Sequence, residues 1–431
     1  MADNGRQKVH VITMGCAKNI VDSEKLMAQL QLSGIEVTPH IEDADIAVIN
    51  TCGFIDAAKE ESIDTIIDTV RLKAGGKLKT VYAMGCLTER YRVDLTKEIP
   101  EVDRFFGTHE MKEILESLGA EYRYELLGER HLTTPGHVAY LKISEGCDNP
   151  CSFCAIPLMR GTHVSRPVEE IVSEAHSLVA RGVKELIVIG QDTTSYGLDL
   201  YGRRRLSYLL ESIADLEGVE WVRLMYAYPA KFPRDVLEVI ARHPKLCRYI
   251  DIPLQHIADP ILRSMRRGIT SRATRELIEA IREKVPGVTL RTTLIVGYPE
   301  EGPREFDELA EFVRTTAFER LGVFAYSRED GTPAFPLGDP VPDTEKQRRQ
   351  GVLMELQQEI SERHNEQLLN TRQRVLVDRR EGEGYAGRTQ SDAPEIDNEV
   401  LIRVSRPLQV GTFYDVDIVD TYEYDLVGII A

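Results

Sequence analysis

The sequence lacks any apolar run that is long enough to cross a lipid bilayer. The first residues, MADNGRQK, contain no apolar leader of the kind that directs secretion. We therefore expect a cytoplasmic protein without a membrane partner. The composition is otherwise that of a globular protein, with 42% hydrophobic and 29% charged residues. A chain of 431 residues exceeds one ordinary hydrophobic core, so two or three domains are expected.

Positive charge is also in short supply. The 53 Lys and Arg residues face 70 Asp and Glu residues, and the formal net charge is −17. Nucleic-acid binding depends on Lys and Arg that neutralise phosphates, so this balance disfavours RNA or DNA as a partner. A basic protein partner fits it better. The alternative is that the acidity only keeps the protein in solution.

Cysteine is scarce, and its count of seven is odd. An odd number in a long cytoplasmic chain makes a poor disulfide framework, so metal ligation or catalysis is expected for those that cluster. Six of the seven either follow predicted strands or share one loop. Cys247 has no partner in this pattern and is assigned to packing.

The order of predicted elements indicates an α/β protein with three domains. Residues 1–130 alternate strands and helices, which is typical of a parallel sheet. Residues 135–365 contain six strand–helix units, which predict a partial (β/α)6 barrel that is open on one side. Residues 368–431 have short β-rich runs between Gly and Pro turns, which predict a small antiparallel β-barrel. The predicted strands are 9–14, 46–50 and 81–84; then 138–144, 185–190, 221–225, 248–252, 289–296 and 321–326; and finally 374–377, 399–404 and 414–419, with a long helix at 343–370.

Three cysteines, Cys147, Cys151 and Cys154, lie within eight residues just after the first barrel strand. The C-terminal mouth of such a barrel is where its chemistry lies. Three thiolates at this spacing can hold one face of a cubane iron–sulfur cluster and leave the fourth iron open to a small molecule. A zinc site would need a fourth ligand and usually a second Cys pair nearby, which is absent. Three structural cysteines are the remaining alternative.

This CxxxCxxC motif, with Phe153 before its third cysteine, resembles the radical S-adenosylmethionine superfamily over about residues 135–365. The resemblance implies that a four-iron cluster at the motif cleaves S-adenosylmethionine to a radical. It also implies that Gly190, Gln191 and Asp192 contact the methionine amino group, and that segment 293–300, which includes Gly297, borders the adenine. Taken singly, a glycine at a strand end is more often a simple turn.

Cys16, Cys52 and Cys86 each follow an apolar strand, at intervals of 36 and 34 residues. These intervals correspond to one strand–helix–strand repeat, so all three should lie at the carboxyl edge of one parallel sheet. Each cysteine alone is more often an inert buried residue. Together they can converge on one point, which predicts a second three-cysteine cluster.

Two clusters and a small C-terminal β-barrel resemble the methylthiotransferase family over the whole chain, and in that family the barrel is a TRAM domain. The resemblance implies S-adenosylmethionine and two 4Fe-4S clusters as cofactors, an electron donor, and insertion of sulfur, capped with methyl, at a C–H bond. Several stretches, including Ala17-Lys18-Asn19 after the first cysteine, are similar to the branch that modifies a small-subunit ribosomal protein, the S-twelve protein, at the β-carbon of an aspartate.

The alternative is the branch that modifies a tRNA adenosine. The tail from residue 370 has 12 acidic and 7 basic residues, whereas a domain that grips tRNA should be basic. We therefore expect tRNA to be disfavoured and the tail to face a basic ribosomal protein. Two other hypotheses are a radical enzyme without sulfur insertion and a metal-stabilised ribosome-binding protein.

Overall fold

The computed structural model describes residues 7–123 and 128–431. Residues 1–6 and 124–127, which the predicted first domain includes, lie outside the described residues. Within the described ranges, no helix is long and apolar enough to span a membrane.

The N-terminal part contains a five-stranded parallel sheet in the order β2-β1-β3-β4-β5. The central strand β3 is buried along its whole length, as expected of a parallel strand covered by helices on both faces. The strands are β1 Lys8–Thr13, β2 Glu36–Val37, β3 Ile46–Thr51, β4 Thr80–Gly85 and β5 Arg104–Phe105. The helices are α1 Ala17–Leu32, α2 Asp56–Ala74, α3 Cys86–Glu98 and α4 Met111–Ser117. The predicted parallel sheet is confirmed.

The central part contains six parallel strands that pair in chain order, and the first strand does not pair with the last. This arrangement is the open six-unit barrel that the sequence predicts. Its strands are β6 Val138–Lys142, β9 Glu185–Ile189, β10 Trp221–Leu224, β11 Leu246–Asp251, β12 Thr289–Val296 and β13 Arg320–Ala325. A short antiparallel pair, β7 Ser144–Glu145 with β8 Val164–Ser165, flanks the loop that carries Cys147.

Amphipathic helices cover the outside of the barrel strands. In α11, Ser271–Lys284, the buried residues recur at the helical spacing of three and four. They are Thr274, Leu277, Ile278 and Ile281. The Thr270 side chain accepts a hydrogen bond from the Ala273 backbone N–H and so caps the helix start. The other helices are α5 Ile156–Arg160, α6 Val168–Ala180, α7 Leu198–Tyr201, α8 Leu206–Ala214, α9 Arg234–Arg242, α10 Asp259–Ser264, α12 Pro303–Thr316 and α13 Asp343–Glu366.

The C-terminal part is a closed five-stranded barrel in the order β14-β15-β16-β18-β17. The predicted small barrel is confirmed, with one difference: β16 and β18 pair in parallel, whereas the other pairs are antiparallel. Its strands are β14 Arg372–Glu381, β15 Gly384–Arg388, β16 Val400–Arg403, β17 Phe413–Thr421 and β18 Leu426–Ile430. Strands β15 and β18 were not among the predicted ones.

One hydrophobic cluster inside the open barrel joins all three parts of the chain. It combines Val21 of α1, Ile187 and Tyr249 of the barrel, and Leu376 of the C-terminal strands. The C-terminal barrel also forms buried ion pairs with the central strands, such as Arg388 with Glu185 at 2.8 Å. This packing holds the start of α1 against the barrel.

Candidate active site

Cys16, Cys52 and Cys86 lie at the carboxyl edge of three adjacent strands, as the sequence predicts. Cys16 follows β1 and occupies the N-cap position of α1, Cys52 follows β3, and Cys86 is the first residue of α3 directly after β4. Cys16 is exposed, whereas Cys52 and Cys86 are buried. The strand order places β1, β3 and β4 side by side, so the three thiols share one edge of the sheet.

Glycines allow the three cysteine loops to touch one another. A Cβ on Gly15, whose φ is +85°, would lie 2.7 Å from Cys52 Cβ and 2.8 Å from Cys52 Sγ. A Cβ on Gly53 would lie 2.8 Å from both the backbone nitrogen and Cα of Leu87. Real Cβ atoms do not approach so closely, and a positive φ also favours glycine. The glycines beside Cys16 and Cys52 therefore allow the close packing of these loops.

Burial favours the neutral thiol at Cys52 and Cys86 in the absence of a metal. Burial raises the pKa of Cys86 to about 12 and also raises the pKa of Cys52. Arg160 opposes the effect at Cys86 because its Nε donates a hydrogen bond to Cys86 Sγ at 3.2 Å. A guanidinium so close to sulfur stabilises the thiolate, which is the form that binds metals.

The second trio lies in the loop that follows β7, where Cys147, Cys151 and Cys154 are half-buried. Asn149 Nδ2 donates to Cys147 Sγ at 3.4 Å, and Arg267 donates to Cys151 Sγ at 3.2 Å. Burial raises the pKa of Cys147 to about 11 and of Cys154 to about 12. Each trio therefore has a guanidinium as a hydrogen-bond donor to one of its sulfurs.

A buried ion-pair network connects the two trios. Besides its bond to Cys86, Arg160 pairs with Asp22 at 2.6 Å and with Glu145 at 3.3 Å. Lys142 pairs with the same two carboxylates. Burial alone would raise the pKa of Asp22, but Lys142 and Arg160 hold it well below its usual range. Glu145 stands two residues before Cys147, so the network spans from one thiol trio to the other.

This network was not predicted from the sequence. An arginine near a loop is usually a surface charge, yet only 4% of Arg160 is exposed. Arg166, which lies close by in sequence, pairs with Glu174 instead. The one sequence signal was the position of Arg160 between the cysteine loop and the next strand, and that signal is weak.

The residues predicted to contact S-adenosylmethionine fall into two places. Gly190 and Gln191 follow β9, where a Cβ on Gly190 would lie 2.7 Å from Ser144 Oγ, and Gln191 Nε2 donates to Glu145 at 2.6 Å. Asp192 is buried and accepts four hydrogen bonds, one of them from Asn149 of the cysteine loop at 2.9 Å.

Gly297 follows β12, and its N–H donates to Glu301. A Cβ there would lie 2.3 Å from Lys346 Cγ of α13, so the close packing against that helix requires glycine. Gly297 thus packs against α13, whereas Gly190, Gln191 and Asp192 pack against the cysteine loop and β7.

Buried polar atoms without a partner in the described part of the chain lie around the same mouth. They include Ser144 Oγ, Gln191 Oε1 and Gln255 Oε1. Buried polar groups are normally hydrogen-bonded, so unpaired ones at strand ends fit a polar ligand there. The thiols with their guanidinium donors likewise fit iron–sulfur clusters.

Three other residues have clear positions. His256 is fully buried, its Nδ1 accepts from the Ala258 N–H at 3.0 Å, and its Nε2 lies 3.6 Å from Glu301. Cys247 is 2% exposed within the barrel's hydrophobic cluster, in agreement with its assignment to packing. Lys18, two residues after Cys16, is 7% exposed, and burial lowers its pKa to about 8.

Among the described residues, no three His, Cys, Asp or Glu side chains are arranged to hold a single metal ion.

Three family models match successive parts of the chain. Residues 8–107 match the uncharacterized protein family UPF0004, residues 141–313 match the radical SAM superfamily, and residues 371–430 match the TRAM domain. Fold and site thus define a radical S-adenosylmethionine enzyme with an N-terminal cysteine-bearing domain and a C-terminal TRAM domain.

Curated relatives identify the family to which the chain belongs within this class of enzymes. The ribosomal protein uS12 methylthiotransferase RimO of Flavobacterium johnsoniae is 54% identical over 98% of both chains. The proteins of the same name from Chloroherpeton thalassium and Porphyromonas gingivalis are 51% and 50% identical over 98% of both chains. The chain belongs to the RimO family of methylthiotransferases, and its cofactors are S-adenosylmethionine and two 4Fe-4S clusters.

Solved structures share the fold at low identity. The radical S-adenosylmethionine methyltransferase TsrM from Kitasatospora setae, solved with cobalamin and a [4Fe-4S] cluster, superposes with a TM-score of 0.57 at 16% identity, covering 77% of each chain. The cobalamin-dependent radical enzyme OxsB gives 0.52 at 13% identity, covering 81% of this chain and 56% of that chain. Both likenesses concern the fold alone.

Proposed function

We propose that this enzyme transfers a methylthio group to the β-carbon of an aspartate in ribosomal protein uS12. The observation that carries the proposal is the pair of thiol trios on facing domains, joined by the buried Arg160 network. The name of the curated relatives supports uS12 as the substrate. The tRNA adenosine is the alternative substrate, and mass spectrometry of both molecules distinguishes the two.

We further propose how the residues share the work. Cys16, Cys52 and Cys86 hold one cluster; Cys147, Cys151 and Cys154 hold the other; and Gly190, Gln191, Asp192 and Gly297 border S-adenosylmethionine. When bound, these groups would supply the radical chemistry and the sulfur of the reaction. The chain's own part is to hold both trios in place and to neutralise thiolates with Arg160 and Arg267.

The cluster assignment is tested by iron analysis after anaerobic reconstitution. The full chain should bind about eight irons, and a Cys16→Ala, Cys52→Ala, Cys86→Ala variant about four. The variant should still release deoxyadenosine from S-adenosylmethionine but transfer no methylthio group. Cys247→Ala is the matched control and should keep all the iron. Unchanged iron in the triple variant would contradict the second cluster.

The substrate is tested by mass spectrometry of uS12 and tRNA from cells with and without the gene. We expect the uS12 aspartate to lose its methylthio group in the deletion strain and to regain it when the gene returns. A strain carrying the triple cysteine variant should not regain it. If tRNA instead lost the modification while uS12 kept it, the tRNA alternative would be correct.

We propose that uS12 approaches the acidic C-terminal domain. Of the 12 acidic residues there, three have little exposed side chain and pair with buried or largely buried arginines: Asp378 with Arg388, Asp392 with Arg320, and Asp397 with Arg291. Arg388 is buried too, which leaves nine acids against six arginines elsewhere in this domain. A net negative surface suits a Lys- and Arg-rich ribosomal protein. Binding of uS12 should therefore weaken as the salt concentration rises.

An electron donor is also required, and we propose an acidic electron carrier. Four exposed cations line one pocket beside Arg267, and none of their side chains has an ion pair or hydrogen bond with the described residues. They are Lys231, Arg234, Arg263 and Arg266. Reversing these charges should slow cluster reduction by an acidic flavin-containing carrier and leave reduction by dithionite unchanged. Equal slowing of both reductants would refute this surface.

Location and domain division follow as further proposals. Because the proposed substrate is part of the ribosome, we propose the cytoplasm, which localisation of a fluorescent fusion would test. We propose domains at 1–130, 135–365 and 368–431, supported by the three main sheets each lying within one of these ranges. Limited proteolysis should cleave first between them.

A further inference from the structure

Lys18 is a buried lysine without a polar partner among the described residues. It lies in the first turn of α1, it is 7% exposed, and its Nζ lies 2.9 Å from the centroid of the Tyr226 ring. No hydrogen bond or ion pair joins its Nζ to the described part of the chain. An unpaired buried cation is costly, so a site that retains one is suited to an anionic ligand.

The acids near Lys18 already have other cationic partners. Asp251 and Glu145 are the carboxylates that attract it most. Their ion-pair partners are Arg291 for Asp251, and Lys142 with Arg160 for Glu145. Neither of these carboxylates is therefore a partner of Lys18 alone.

The position of this charge is close to both halves of the site. Lys18 stands two residues after Cys16, and Tyr226, whose ring it contacts, lies two residues after the end of β10, at the barrel mouth. The substrate carbon of the proposed reaction would have to reach the space between these two halves. In an aspartate, the carboxylate is bonded directly to that β-carbon.

We propose that Lys18 is a carboxylate-binding subsite that holds the target aspartate through an Nζ–carboxylate ion pair. This inference rests on the proposed function. The Tyr226 ring keeps the ammonium group in place through a cation–π contact before the substrate arrives. Binding then supplies the missing negative charge and turns the β-carbon toward the space between the trios.

The test compares two peptides of the uS12 loop, one with the target aspartate and one with asparagine in its place. Affinities are measured by calorimetry on the reconstituted full chain with S-adenosylmethionine, without reductant. Wild type should prefer the aspartate peptide about 10- to 100-fold, the range of a charge-assisted hydrogen bond. Lys18→Met should bind both alike, and Lys18→Arg should retain part of the preference.

Lys25→Met is the matched control, because Lys25 is a second lysine of α1 that lies 4.0 Å from Glu174, away from the trios. It should keep the full preference, and both methionine variants should contain the same iron as wild type. If Lys18→Met kept the preference for the aspartate peptide, the proposal that Lys18 binds the carboxylate would be wrong. This would hold even if the wild-type enzyme modified the peptide.

Two further outcomes distinguish carboxylate binding by Lys18 from a role in sulfur transfer. Lys18→Met could lose sulfur transfer but still bind the aspartate peptide more tightly than the asparagine peptide. Lys18 would then act in sulfur transfer rather than in carboxylate binding, and the proposal would be wrong. If wild type bound the aspartate peptide but never modified it, the proposed function would fail while a measured preference would still support the subsite.

Discussion

Replacing Arg160 with methionine should lower both the stability of the protein and its retention of iron. Removing one partner of a buried ion pair costs about 3–5 kcal/mol. Asp22 and Glu145 each keep Lys142 as a partner after the change, so the lower end, about 3 kcal/mol, is expected for the free energy of unfolding. Cys86 loses the guanidinium that donates to it, so its thiol should become harder to deprotonate and to bind to iron.

The assay combines urea unfolding of the metal-free protein with iron retention under a chelator. Arg223→Met is the matched control, because Arg223 is equally buried and its partner Glu185 likewise keeps a second cation, Arg388. Both variants should lose similar stability, but only Arg160→Met should lose about half of its iron faster than wild type. The reasoning is refuted if Arg160→Met unfolds like wild type or if the two variants lose iron equally.

Two further predictions concern the thiols and their glycines. Since burial raises the pKa of Cys86 to about 12 from an ordinary value of 9, the metal-free protein should lose stability as the pH rises above 9. The cluster-loaded protein, with its thiolates already deprotonated, should not, and urea unfolding at several pH values checks this. An alanine in the left-handed conformation costs about 1–2 kcal/mol of folding free energy. Gly15→Ala should cost more than this, because the new Cβ would clash with Cys52. Gly34→Ala, with a similar φ of +82° and open space, should cost only that amount, and a smaller effect at Gly15 in urea unfolding would contradict the packing argument.

The positions of the cysteines were predictable from the sequence for a physical reason. Parallel strands end at the same edge of a sheet, so a cysteine after each of three strands must lie near the other two. Cys16, Cys52 and Cys86 confirm this geometry at the ends of β1, β3 and β4. The six barrel strands were predictable too, because each is an apolar run followed by an amphipathic helix.

The ion-pair network was not predictable in the same way. Asp22, Glu145 and Arg160 are brought together by the packing of α1 against the barrel, and Asp22 is more than a hundred residues from the others in sequence. No local pattern records such a contact. An isolated arginine or lysine near a cysteine looks like any surface charge until its burial is known, and this holds for Lys18 as well.

Two strands of the C-terminal barrel could not be predicted from the sequence, for a different reason. Strand β15 has the sequence GYAGR, in which two glycines weaken the strand signal. Strand β18, LVGII, is a short apolar run without alternation, which does not distinguish a strand from other buried segments. Pairing within the closed barrel, including the parallel pair of β16 with β18, stabilises both.

The contact between the cysteine loops has a consequence for how a cluster is assembled. Because Gly15 and Gly53 let these loops pack directly on neighbouring cysteine and backbone atoms, the loops are ordered by folding itself rather than by the metal. Zinc fingers behave in the opposite way, since they are unfolded without their metal. Here the conformational entropy of the cysteine loops is lost during folding. When a cluster loses a sulfur or an iron, the cysteine ligands therefore stay in place. We expect such a centre to be dismantled and rebuilt repeatedly within one folded molecule.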